Sequence, residues 1–523
     1  MRNGTVSRRG LLVGTAALGA AAGFGRPAAA VAEFNTRGTI VYFDSSGNET
    51  LDPAHPQTAS SLSGEVPMAL YDTLVRLDPK GALVPGLAQS WRYNSDLTVF
   101  EMTIRPGVVF HDGTKLTAEV VKQNLERDLA LGPRASAAVV DALRPVQTVE
   151  VEGDNVVRLR LKEPNGQLEY AFAFVTGMMA SPAAFADGAF GASFKPNGAG
   201  PYKVERFDSN VVSRLVRFEQ YWDGVGNRPA AFEHHYVPDA RARLNALRSG
   251  QANITLIEPR QIDEAKKAGL QVQVNEKNGA WTIYINQSRP GLNDLKVRQA
   301  IMHAIDREAL AEAFGFGTAH PTTQVFVPPF PVYDKQLDAR FPHDLDKARA
   351  LLKEAGFGGG LEINYVLLNT TEYRAISEAL QSMLAEVGVK VKFDTIDVSQ
   401  FPLFRRAPGR GDVMLGRFGG RADPAHSIFE FAGTGGSVNP GGPAAPEIDK
   451  MLNEARRIPP GNPERLPLLR RLNASVVENV SAFTLMSRAN VYAFKTGCIG
   501  NLLPFPAGGD DRFNDVTIAA GCT

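Results

Sequence analysis

The chain is expected to fold as an α/β protein with more than one domain, and three observations lead there. Short runs of β-branched and aromatic residues alternate along the chain with helical segments whose ends carry caps and glycine stops. Leu361–Leu368, Glu372–Val387 and Val389–Ile396 read as strand, helix and strand, a βαβ unit that sets its two strands in a parallel sheet. The length, 523 residues, exceeds what one hydrophobic core organises, so two or three domains are expected.

Taken in order, Thr39–Phe43 is a β-branched and aromatic run that reads as a buried strand. Asp44–Pro56 is polar and rich in turn residues. Val66–Leu77 passes from helix into strand, and Val99–Ile104 and Val156–Leu161 alternate as strands do. Thr117 caps a helix that runs through Arg127, with Glu119 and Asn124 on its exposed face. Asp239–Gly250 is an amphipathic helix closed by its glycine, with a strand at Asn253–Ile257 after it. Trp281–Asn286 is a further strand. Beyond it, helical spacing makes Val297, Ile301, Ile305 and Leu310 core positions. Asp346–Phe357 is a capped helix that stops at Gly356, and the βαβ unit follows.

Composition narrows the function. Hydrophobic residues make up 44% and charged residues 21%, an ordinary globular balance. Lys and Arg together equal Asp and Glu, but residues 1–32 hold Arg2, Arg8, Arg9 and Arg26 and no acid. Without them 52 basic residues face 56 acidic ones, a poor balance for a nucleic-acid partner. Ser7–Leu12 (SRRGLL) resembles a twin-arginine export motif. The uncharged stretch after it, Gly10–Gly25, is shorter than the roughly 20 apolar residues of a membrane span. Ala28–Ala30 and Ala30–Ala32 both offer small residues to signal peptidase. Residues 1–32 are therefore read as a signal peptide of the twin-arginine type rather than the general secretory type, with the mature protein in the periplasm or secreted. No cysteine near the cleavage site suits a lipid anchor. Cys498 and Cys522 form an even pair, which in an exported chain reads as a disulfide. The loop is worth roughly 3–4 kcal/mol by chain entropy; two buried thiols are the alternative.

The most informative stretch is Leu51–Arg127. It contains Tyr71-Asp72-Thr73-Leu74, then Pro85–Trp91 (PGLAQSW), then Arg105–Gly113 (RPGVVFHDG). Asn197–Val204 (NGAGPYKV), Arg217–Gly224 (RFEQYWDG) and the Asn293–Leu310 block follow. Their order and spacing resemble the extracellular solute-binding proteins of the peptide/nickel class, family 5, receptors that deliver ligands to ABC importers. The resemblance implies a two-lobe periplasmic-binding-protein-like α/β fold with a hinge and an extra subdomain in the first lobe. Its boundaries would be lobe I at 33–280 with an insert about 60–195, lobe II at 281–486, and a return to lobe I at 487–523. The crossing segments would lie near 275–285 and 483–492. A small organic ligand (peptide-like, opine-like or anionic) would bind between the lobes and close them. The partner would be an ABC permease in the inner membrane; a monomer without cofactor is expected.

A search for other chemistry finds none. The eight histidines are scattered, with no HExxH, no CxxC and no His pair four residues apart, so no metal site is expected. No G-x-S-x-G occurs, and the glycines of Asn197–Val204 have the wrong spacing for a phosphate loop. No catalytic residue is assigned. A secreted enzyme is thereby disfavoured, and a receptor for a sensor kinase or chemoreceptor stays open beside the importer.

The candidate ligand site is Gly416–Pro424 (GRFGGRADP), similar to the family's W-S-G-R-x-D-P segment that faces the cleft. Phe418 holds the Trp position, where an aromatic ring packs flat on a ligand. Arg421 matches the family Arg and can fork onto a carboxylate or phosphate. The alternative is that Arg421 pairs with Asp423 or caps a carbonyl and that Phe418 is core. Gly419 and Gly420 complete the segment; Asp423-Pro424 reads as a structural turn. Relatives like the dipeptide-binding protein carry an Asp that meets the peptide α-amine, and by spacing that position is Gly420 here. A buried ammonium without a counter-charge is costly, which argues against an ordinary free peptide. Weaker candidates are Thr58 and Ser60 in the loop after Leu51-Asp52-Pro53, Asn369 and Thr371 after a second-lobe strand, and Glu258 after the strand at 253–257.

Overall fold

In chain order the first strands are β1 (Thr39–Asp44), β2 (Val75–Leu77), β3 (Leu83–Pro85), β4 (Ala88–Tyr93), β5 (Val99–Ile104), β6 (Val146–Glu152) and β7 (Val156–Leu161). There follow β8 (Tyr202–Asp208), β9 (Val212–Arg217), β10 (Ala231–Tyr236), β11 (Ile254–Ile257) and β12 (Leu270–Asn275). Then come β13 (Ala280–Ile285), β14 (Leu361–Leu368), β15 (Val389–Ile396), β16 (Val413–Phe418), β17 (Ala482–Ser487) and β18 (Asn490–Lys495). They are seen in a computed structural model that describes residues 34–523 except 60–63, 277–278, 329, 398–399, 401–409, 422, 437, 440, 442–444, 504–511 and 523. The expected signal peptide and Ser60 lie outside the described residues. No described helix is long and apolar enough to cross a membrane.

Seven strands build the larger sheet, in the order β12-β18-β11-β1-β10-β9-β8. Its middle is parallel, with β1 between β10 and β11. A five-stranded sheet runs β15-β14-β16-β13-β17. There the βαβ unit forms as the sequence predicts: β14 pairs β15 in parallel through all eight residues, with the helix Thr371–Ala385 between them in sequence. A four-stranded antiparallel sheet, β4-β5-β7-β6, comes from within residues 88–161. The chain leaves the larger sheet after Asn275 and enters the smaller one at Ala280; it returns between Ser487 and Asn490.

Two large hydrophobic cores correspond to this division. One draws its buried residues from 281 to 486, including Trp281, Ile301, Tyr365 and Leu472. The other combines residues 40–232 with Ile254 and with Tyr492, Phe494 and Phe513 from the end of the chain. β13 is buried at all six positions, and so is β17, although it lies at the edge of its sheet: the helix Arg307–Gly315 covers it. Each fully buried large apolar side chain contributes about 1.5–3 kcal/mol.

The sequence motifs prove to be tie points. Asp72 of the Tyr-Asp-Thr motif accepts from Trp222 Nε1 at 2.7 Å and Arg76 Nε at 2.8 Å, while Arg105 lies 4.2 Å over the Trp222 ring. In the His-Asp-Gly motif, His111 Nε2 meets Gly200 O at 3.0 Å and its Nδ1 accepts from Gly198 N at 3.2 Å, so the neutral ring joins two distant loops.

Three local expectations are corrected. Asn124 is buried, not exposed: its amide bonds Val120 O and Ala180 O at 2.9 Å and accepts from Ala180 N at 3.0 Å, replacing water completely. The helix after Asn293 is two helices, Leu295–Ala304 and Arg307–Gly315, because Asp306 caps the second by accepting from Ala309 N. The helix placed at Asp346–Phe357 starts at Leu345 and is capped by Asp344. Cys498 and Cys522 are bonded, with Cα atoms 5.6 Å apart. Beside them Ile499–Gly500 pairs with Thr517–Ile518, and Asn35 Nδ2 donates to Cys522 O at 2.8 Å.

Candidate functional site between the two cores

β16 carries the centre of the candidate segment out of the smaller sheet, and its last residues divide by side. Phe418 is buried and packs edge-on against Phe431 at 5.2 Å. Its ring belongs to the second core rather than to a ligand face. Gly420 sits at φ +80°, where a side chain is strained, and Gly419 precedes it half-buried. Across from this turn, Gly279 at φ +87° leads into β13. A Cβ there would come within 1.9 Å of Phe418 O, so the two backbones pass closely only because Gly279 lacks one.

Arg421 is already engaged. Its Nε donates to both oxygens of Glu430 at 3.1 and 3.0 Å and its Nη2 to Oε1 at 2.8 Å; its guanidinium lies 5.7 Å from the Phe174 ring of the first core. Burial works against its charge, but the attraction of Glu430 outweighs it and the pKa is raised. The partner foreseen for it, Asp423, instead receives Arg465 Nη2 on both oxygens at 2.8 Å and caps the helix Pro424–Ala432 through Ala425 N. The expectation that Arg421 forks freely onto a ligand anion is therefore corrected: the fork is closed on Glu430.

The weaker candidates scatter. Thr58 is buried and its Oγ1 donates to Thr50 O at 3.3 Å, a bond within its own loop, which Asp52 anchors to Arg127 at 2.6 Å. Glu258 pairs with Arg260 at 2.5 Å. Asn369 and Thr371 are exposed at the carboxyl end of β14, and Thr371 begins the helix whose next residues, Glu372 and Tyr373, do meet the segment.

What they meet is Arg417, which the sequence reading passed over. It extends beside the Trp281 and Tyr373 rings, 5.0 and 5.5 Å from their centres, and pairs with Glu372 through Nη2. Burial opposes its charge, yet Glu372 and Tyr373 raise its pKa on balance, and Asp44 at the end of β1 in the first core adds to the effect. Its Nε is buried without a hydrogen-bond partner among the described residues. An unmet donor on a charged group costs about 1–3 kcal/mol or more, so an acceptor is expected to fill it. One sequence signal pointed here: alternation along β16 sets Arg417 opposite to Gly416 and Phe418, so a core Phe418 turns Arg417 away from the core.

Beside this cleft lies an open pocket. Asp141, Arg144 and Gln167 line it from the first half, His426, Phe429 and Arg456 from the second. Arg144 and Arg456 lie 5.0 and 5.1 Å from the Phe429 ring, and Gly166 N donates to Arg456 O at 2.7 Å, so the halves touch here. Two α/β halves joined by two crossings, with aromatic and charged groups of both turned toward one cleft, suit the capture of a ligand between them.

Comparison with known proteins agrees. The family described as bacterial extracellular solute-binding proteins, family 5 Middle, matches residues 82–439, and the chain belongs to that family. The glutathione-binding protein GsiB of Salmonella typhimurium is 28% identical over 354 residues, covering 67% of this chain and 68% of GsiB. Among solved structures, the binding protein AgaA of A. tumefaciens R10, in complex with agropinic acid, superposes with a TM-score of 0.79 at 26% identity, over 90% of this chain and 96% of that one. The ABC transporter-associated periplasmic binding protein DppA of Helicobacter pylori, in complex with peptide STSA, gives 0.82 at 20% identity, over 93% and 99%; it shows the fold. The resemblance read from the motifs and the two-lobed α/β class are thus both established. The family consists of solute-binding proteins, not enzymes, and this chain is an extracellular solute-binding protein of that family. The sensor-only reading gains no support.

Proposed function

We propose that this protein works in the periplasm, exported by its twin-arginine-type leader, where it captures a small organic ligand bearing a carboxylate and hands it to an inner-membrane permease. Arg417 carries the reading. Its Nε is a buried, unfilled donor on a fixed cation between two aromatic rings, suited to a carboxylate or amide oxygen. The turn offers no ready counter-charge for a peptide α-amine: Gly420 has no side chain, Asp423 is taken by Arg465, and Glu430 by Arg421. Relatives named for glutathione and seen with agropinic acid fit a modified, acid-rich amino-acid derivative better than an ordinary peptide. The chain turns over nothing; closure alone is its act, driven by contacts that exist only when the halves meet.

Calorimetric titration with glutathione, agropinic acid, related opines and unmodified di- and tripeptides tests this. An acid-rich derivative should bind, and Arg417→Ala should weaken it by roughly 10- to 150-fold, the equivalent of a charged hydrogen bond of about 1.5–3 kcal/mol. Tight binding of plain peptides unaffected by Arg417→Ala, or conversion of any compound tested, refutes the proposal.

A further inference from the structure

Two residues that line this open pocket, Asp141 and His426, belong to a group that ligand capture leaves unused. Asp141, on the helix Ala137–Leu143 of the first half, faces His426 and Glu430, on the helix Pro424–Ala432 of the second. One donor atom from each lies within 4.8 Å of the other two. His426 and Glu430 are four residues apart, so the helix presents both on one face. The Asp141 side chain is only 4% exposed, and its Oδ2 is buried without a hydrogen-bond partner among the described residues; so is His426 Nε2. Two buried, unfilled electron-pair donors side by side, with a carboxylate next to them, are what a cation needs and what a hydrogen-bonded structure avoids.

We propose that Asp141, His426 and Glu430 form a divalent-cation site that ties the two halves together. The donor set, one imidazole and two carboxylates, suits zinc-like ions over calcium or magnesium, which favour all-oxygen sites. The surrounding cations orient the carboxylates. Arg144 bonds Asp141 through Oδ1, leaving Oδ2, and Arg421 holds the Glu430 carboxylate in place. Asp423, capping the same helix and locked by Arg465, fixes the height at which His426 and Glu430 are presented. The other His–carboxylate group, Asp44–Glu65–His234, is buried within the first core and already joined by a 3.2 Å contact between His234 and Asp44. Because the three ligands come from both halves, the ion binds the closed form and favours it. It is distinct from cargo held at Arg417.

The mature protein, stripped of metal and free of organic ligand, is titrated with Zn²⁺ calorimetrically, with Mg²⁺ as control, and its unfolding temperature is followed. One Zn²⁺ per chain with a rise in unfolding temperature is expected. Asp141→Asn and His426→Ala should each weaken binding by roughly tenfold or more, since even supporting residues of metal sites cost that much. Arg417→Ala should leave Zn²⁺ binding unchanged. Absence of Zn²⁺ binding, or binding equally tight in both ligand variants, overturns the proposal and leaves Asp141 and His426 as a water-bridged contact.

Discussion

Replacing Asp423 by Ala removes one half of an ion pair that the protein holds almost wholly out of water. The Asp423 and Arg465 side chains are 1% and 6% exposed, and Nη2 of the Arg reaches both carboxylate oxygens at 2.8 Å. Its Nη1 donates to Ala455 O and Ile458 O, so Arg465 cannot swing to solvent without breaking those bonds too. Deleting one partner of a buried pair costs about 3–5 kcal/mol because the other charge is stranded. The same carboxylate caps the helix Pro424–Ala432 through Ala425 N, worth about 1 kcal/mol more. These two losses overlap, so Asp423→Ala is expected to cost roughly 4 kcal/mol. Urea unfolding followed by circular dichroism, with hydrogen exchange of that helix as the local readout, measures it. The pair Asp423→Leu with Arg465→Met should recover most of the loss, since an apolar replacement strands nothing. A loss below about 1 kcal/mol in the single variant, or a double variant as unstable as the single, refutes the reasoning.

Two further outcomes follow from the same structure. Burial holds the His111 imidazole down to about 4 against 6.5 in the unfolded chain. Between those pH values the unfolded state takes up a proton that the folded ring refuses, because Gly198 N–H occupies Nδ1. Stability therefore falls as pH falls from 6.5 toward 4, by up to roughly 3 kcal/mol, and is unaffected by this group above 7. Buried Asp128 and Glu169, both raised to about 7 by burial, act in the opposite sense, so the measurement is the difference in unfolding midpoint between wild type and His111→Gln across pH 4–7. That difference should shrink as pH falls; a constant one contradicts the assignment. Cys498→Ser with Cys522→Ser should cost about 3 kcal/mol from a loop with a separation of 24 residues and expose the tail to protease while β18 stays protected; an unchanged cleavage pattern argues against it.

Much of the scaffold was legible because it is local. Thr117, Asp239 and Gly250 announce helix ends through caps that reach only three or four residues, and β14 and β15 announce themselves through apolar runs. The site was less legible because its partners are distant or opposite in face. Asn124 looked like a surface polar residue, but its partner is the backbone at Ala180. Arg421 matches the family pattern, yet what it does depends on Glu430, one helix further on. Alternation along β16 hints at Arg417, but its role rests on packing against Trp281 and Tyr373, distant in sequence. A search for paired histidines could not find His426, whose neighbour at helical spacing is a glutamate.

The position of β18 sets a timetable for assembly. It lies between β12 and β11, yet among the described residues it is the last long strand to leave the ribosome. Residues 280–487 form one uninterrupted stretch with a core of its own and can close while synthesis continues. The larger sheet meanwhile has a gap between β11 and β12, with unpaired edges on either side, until the end of the chain arrives to bridge it. Pairings this far apart in sequence close slowly, and open edges invite other chains. A chain truncated before Asn490 would thus keep one half intact and leave the other divided through its interior, the kind of product that aggregates rather than simply unfolds.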